Sequence, residues 1–69
     1  MNDLCPLIHT ALGDGTTAEV AQLIGEIPQV WSRYRRGRML PGAKKIAAWC
    51  ERTGLTVTFL PSGQVQVTP

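Results

Sequence analysis

Between Gln29 and Lys45 the chain carries six cations, Arg33, Arg35, Arg36, Arg38, Lys44 and Lys45, and not one acid. Guanidinium and ammonium groups are donors without acceptors, suited to holding phosphates or carboxylates. The remaining charge lies elsewhere. Residues 1–28 hold Asp3, Asp14, Glu19 and Glu26 with no Lys or Arg, a charge of −4, and residues 46–69 hold only Glu51 and Arg52, which cancel. The formal net charge of +2 therefore conceals a block of +6 beside a region of −4. Such a block is the footprint of a polyanion-binding face, or equally of a plain solvated surface. Spacing adds to it, because Gln29, Ser32, Arg33 and Arg36 fall on one side of a helical pattern. On that side Gln offers a donor beside an acceptor and Arg offers two donors, the geometry that reads base edges.

Other chemistries are poorly provided for. Cys5 and His9 stand at i and i+4, and Cys50 could join them, but three ligands at this spacing match no standard zinc pattern. Neither cysteine sits in a close pair, so both read as free thiols, Cys50 as a small core residue. The sequence holds no nucleophile with its base, no paired carboxylates and no cofactor loop, since Gly13-Asp14-Gly15 lacks phosphate-loop spacing. An enzyme is not expected, nor a cofactor. No run of apolar residues reaches membrane-spanning length, and the start, Met1 to Pro6, does not read as a signal peptide. The expectation is a cytoplasmic protein.

The elements that must position the basic block can be read in order. With 69 residues, 43% apolar and 17% charged, the chain is one domain. At this size about 60% of the unfolded surface is buried, so a partner copy would help it. Leu4, Leu7, Ile8, Ala11 and Leu12 give a first helix, capped by Asn2 or Asp3, in which Pro6 must lie in the first turn. Thr16-Thr17-Ala18-Glu19 forms a capping box for a second helix with Val20, Ala21, Leu23 and Ile24 as its apolar set. Pro28 opens a third helix running through Arg36, with Val30, Trp31 and Tyr34 inward. At that spacing the two aromatics read as core rather than as base-stacking groups, and Trp49 as partial core. A fourth helix runs from about Pro41 to Thr53, its buried stripe Ala43, Ile46, Ala47 and Cys50. Beyond Gly54 the period changes to two, and Pro61-Ser62-Gly63 separates two strands of a hairpin spanning about 55–68. The fold class is mostly α (α+β): four short helices, then a C-terminal hairpin.

Helices two and three, over about 16–37, meet the needs of a helix-turn-helix. Ala21 is small enough for a close crossing, Gly25 tolerates the turn, and Trp31 and Tyr34 fix the angle. These residues resemble the Cro and phage-repressor (XRE-like) type of helix-turn-helix. The family pattern has a polar first residue, then Ala, Gly and two apolar residues at positions five, nine, fifteen and eighteen. Thr17, Ala21, Gly25, Trp31 and Tyr34 stand there. Ser32-Arg33 followed by Gly37-Arg38 and Pro41 continues the likeness, which runs from Thr17 to Pro41. One position departs from it. Glu26 follows the turn glycine where an apolar residue is usual, and Ile27 is expected to fill that role.

The resemblance implies sequence-specific binding of double-stranded DNA by a phage or mobile-element repressor. Gln29, Ser32, Arg33 and Arg36 would contact bases in the major groove. Thr17, Arg35, Arg38, Lys44 and Lys45 would contact phosphates. The hairpin is expected to join a homodimer on a palindromic operator, with Phe59, Val65 and Val67 at the interface and the uncharged 64–68 strand as its open edge. The alternative is a hairpin packed back on the helices of one chain. Rival functions are a toxin-binding antitoxin of the same fold, an RNA binder using the same helix, and a phage-encoded inhibitor acting through protein contacts.

Overall fold

The computed structural model describes residues 4–69, so Asn2 and Asp3 as caps lie outside the described residues. The elements are α1 (Leu4–Ala11), α2 (Thr17–Ile24), α3 (Pro28–Arg35), α4 (Ala43–Thr53), β1 (Thr56–Phe59) and β2 (Val65–Thr68). The expected class is the observed one, four helices followed by a two-stranded antiparallel sheet. Pro6 occupies the first turn of α1, where its missing N–H costs nothing.

The capping box of α2 closes in both directions. The Glu19 amide donates to Thr16 Oγ1 at 3.2 Å, and the Thr16 amide donates to the Glu19 carboxylate at 3.0 Å. Those bonds hold the Glu19 carboxyl below its ordinary range, chiefly through the backbone bond to Thr16. The helix ends in a paired closure: the Gly25 amide reaches the Gln22 carbonyl and the Glu26 amide the Ala21 carbonyl at 2.8 Å. This closure needs Gly25 at φ 81, a region that costs other residues a Cβ clash.

Three expectations about the helices are corrected. Leu23 is half exposed rather than buried, because it points past the α4 contact into solvent. α3 stops at Arg35 and Arg36 is its cap, since the Gly37 and Arg38 amides turn back to the Tyr34 and Arg33 carbonyls. α4 begins only at Ala43, after Pro41 and Gly42. Its inward line is Trp49 flanked by half-buried Ile46 and Cys50, while Ala43 and Ala47 are exposed. The large ring of Trp49 takes the space that smaller residues would have shared.

Trp31 is the centre of the core, fully buried. Its ring meets that of Trp49 edge to face at 5.5 Å, and Tyr34 meets Trp49 likewise at 5.2 Å. Leu4, Cys5 and Ile8 of α1, Val20, Ala21 and Ile24 of α2, and Leu55 complete it. Burial pushes the Cys5 thiol up to about 11.

The hairpin pairs Thr56 with Thr68, Val57 with Val67, Thr58 with Gln66 and Phe59 with Val65. Its loop is a turn from Leu60 to Gly63, with Gly63 at φ 88 and the Leu60 amide on the Gln64 carbonyl. β2 lies along α1, whereas β1 packs principally against β2. Val57, Val65 and Val67 turn toward the core, so Val65 and Val67 serve their own chain. Phe59, expected at a dimer interface, lies beyond the core's edge at 64% exposed. In a two-stranded sheet each strand keeps one edge unpaired by the other, and β1 is the strand farther from α1.

Candidate nucleic-acid interface

The three-residue turn Gly25-Glu26-Ile27 joins α2 to α3, and fully buried Ala21 lets the helices pack closely. On α3, buried Trp31 and Tyr34 face Trp49 of α4. Gln29, Arg33 and Arg36 are exposed on the opposite side, four and seven residues apart along one helix line, with Ser32 half-buried beside them. The aromatic packing thus fixes which way the polar row looks.

A shallow cavity of about 310 Å³ opens next to this row, lined by Pro6, Thr17, Ser32, Arg35 and Arg36. Within it the Arg35 Nη1 donates to Thr17 Oγ1 at 3.2 Å. Arg35 Nε is buried without a hydrogen-bond partner among the described residues. Such an orphaned donor on a cation is costly unless an acceptor reaches it. The cavity therefore brings together Thr17 and Arg35, read as phosphate contacts, with Ser32 and Arg36, read as base contacts. Its chemistry is that of an anion site at the first turn of α2, where free amides add to the positive field.

The rest of the basic block divides. Arg38, in the α3–α4 connection, and Lys44, in the first turn of α4, are exposed. Lys45 instead reaches the Glu26 carboxylate at 2.6 Å, and that pairing raises its pKa. Glu26 keeps only 9% of its side chain exposed. Of the other five cations, Arg33, Arg36, Arg38 and Lys44 are exposed and Arg35 is half-buried in the cavity. The turn is thus braced by an ion pair where the family pattern has an apolar residue. Ile27 does not fill that role: its side chain is 62% exposed.

Two further contacts hold the geometry and carried no signal in the sequence. Arg52 Nε donates to the Leu23 carbonyl at 3.1 Å, tying α4 to the last turn of α2. Its guanidinium lies where a Cβ on Gly25 would come within 3.2 Å. His9, buried in α1, accepts from the Trp31 indole N–H at 3.0 Å through Nδ1, and its Nε2 lies 2.7 Å from the Gly15 carbonyl, to which it donates. The imidazole also stacks on Trp31, with centroids 6.2 Å apart. It thus links α1, the α1–α2 loop and α3. The partners are 22 residues apart, and no periodicity announces that.

Among the described residues no cluster of His, Cys, Asp or Glu is suited to a metal ion, and no helix is long and apolar enough to cross a membrane. No protein-family description matches the chain, and neither the curated proteins nor the solved structures include one similar to it.

Proposed function

We propose that this chain binds double-stranded DNA sequence-specifically through α3 and acts as a Cro-like transcriptional repressor. The observation that supports this most is the exposed row Gln29, Arg33 and Arg36, on a helix whose other side is locked by Trp31 and Tyr34. An α-helix so presented fits the major groove. Gln29 would hold adenine N6 and N7, Arg33 and Arg36 would hold guanine O6 and N7, and Ser32 would make a shorter contact. Thr17 and Arg35 would hold one phosphate in their shared cavity, and Arg38 and Lys44 others along the backbone. Repression, a phage or mobile-element source and a cytoplasmic place of action follow from the resemblance alone.

The working assembly is a homodimer on a palindrome, formed through β1. In the ladder, Leu60 bonds to Gln64, so Thr58 and Thr56 bond inward to β2 in alternation. The backbone groups of Val57 and Phe59 are then left for a second copy. Exposed Phe59 would lie over that copy's Val57. Half-sites about 34–36 Å apart would then be read together.

Selection of duplexes from a random pool at two salt concentrations tests the proposal. A palindrome, bound more weakly at higher salt, is expected. Arg33→Ala and Arg36→Ala should each lose about 1–3 kcal/mol and relax preference at one base pair. A wild-type chain that recovers no preferred duplex would overturn it.

A further inference from the structure

Ile27, at the start of α3, is an exposed large apolar side chain, and its exposure has a structural cause. The segment entering α3 is extended, with Ile27 at φ −74 and ψ 138. Side chains alternate along extended backbone, so when Glu26 turns inward to Lys45 on α4, Ile27 turns away from α4. Away from α4 is also the direction of Gln29, Arg33 and Arg36, since Trp31 and Tyr34 face Trp49. The pose is held. Pro28 restricts the residue before it to extended backbone, and branching at Cβ stiffens the side chain. A rigid apolar group therefore stands two residues ahead of Gln29, at the N-cap of the helix read above as base-contacting.

In the major groove the base edges offer donors, acceptors and a single apolar group, the 5-methyl of thymine. We propose that Ile27 determines specificity by packing on a thymine methyl, a contact that rests on the DNA-binding reading of α3. With Gln29 suited to adenine, the two residues favour A·T pairs at neighbouring positions of each half-site. Little entropy is lost on contact because the side chain is already fixed.

The wild-type chain first selects its duplex from a random pool. That duplex is then remade with each thymine in turn replaced by deoxyuridine, which deletes only the methyl. At one position per half-site the replacement should weaken wild-type binding about fourfold, the factor given by about 0.8 kcal/mol per buried methyl. Ile27→Ala should bind the thymine and deoxyuridine forms equally at that position, and Ile27→Val should keep part of the difference. Circular dichroism confirms that the variants fold, as expected for an exposed site. The inference is overturned if Ile27→Ala weakens every duplex alike with no coupling to any methyl, which would place Ile27 on the sugar-phosphate backbone. It is also overturned if Ile27→Ala changes nothing, or if the selected half-site lacks thymine. In each of those cases wild type still selects a duplex, so DNA binding stands and the thymine contact alone fails. A wild type that selects none removes both.

Discussion

Replacing His9 by Phe probes how α3 is held. The substitution keeps a ring stacked on Trp31 and deletes both imidazole hydrogen bonds. Trp31 is fully buried, so its indole N–H, now bonded to Nδ1 at 3.0 Å, loses its partner with no water to replace it. An orphaned buried donor costs about 1–3 kcal/mol. The bond from Nε2 to the Gly15 carbonyl, at 2.7 Å, adds about 1 kcal/mol at most, because Gly15 is exposed and its carbonyl can turn to solvent. The expected loss is about 1–4 kcal/mol, against a total stability of about 3–10 kcal/mol for a chain this long. Urea unfolding followed by circular dichroism reads it as a lower midpoint at unchanged slope. Thermal unfolding should show about 4–8 °C per kcal/mol. A cycle with Trp31→Phe isolates the bond: in the double variant no donor is orphaned, so the losses should fall short of additive by about 1–2 kcal/mol. A His9→Phe protein within about 0.5 kcal/mol of wild type, or strictly additive losses, would refute this account.

Gly25→Ala should cost about 1–2 kcal/mol from its left-handed backbone and more if Arg52 cannot withdraw, measured by urea unfolding. Thr16→Ala should cost about 1 kcal/mol, as removal of a helix cap does. Because the fold lowers the Glu19 pKa, its cap contribution is present above the ordinary carboxylate range and fades as pH falls through the lowered value; Glu19→Gln should remove that part of the acid dependence of stability. With Arg35, Arg38 and Lys44 as the cationic phosphate contacts, the logarithmic salt slope should be about −2.7 per chain, and Lys44→Ala should flatten it by about one unit whereas Lys45→Ala, its ammonium held by Glu26, should not.

The parts of the fold legible in the sequence are those decided within a turn or two of chain. The capping box at Thr16 and Glu19, the proline start of α3, the glycine closure at Gly25 and the Pro61-Ser62-Gly63 loop each depend on residues a few positions apart. So does the facing of Trp31 and Tyr34 against Gln29, Arg33 and Arg36, because one helical period sets both. What the sequence concealed depends on partners from separate elements. Which strand of the hairpin lies along α1 is set by tertiary packing, and alternation within a strand is blind to that. Trp49 displaced the expected alanine stripe of α4 because two aromatic rings of α3 reach it. Ile27 is expected to fill the apolar place after the turn glycine, but it stands on extended backbone at the start of α3 and is exposed there.

These contacts between separate elements change what the basic block means. In the sequence its six cations are equivalent, whereas in the fold Lys45 braces the turn and Arg35 is anchored by Thr17. Lys45 is half exposed, so its pair with Glu26 is screened by water and cannot alone fix the turn. The Arg52 bond to the Leu23 carbonyl acts beside them, and both run from α4 to the end of α2. α3 is held on its other side by Trp49, also from α4. One helix therefore sets both the turn and the roll of α3 about its axis. A loss at α4 should then tilt the whole row from Gln29 to Arg36 together, whereas a loss within that row removes one contact and leaves the rest aimed. Weakened preference at every base pair together would mark the first kind of damage, and preference relaxed at a single base pair would mark the second.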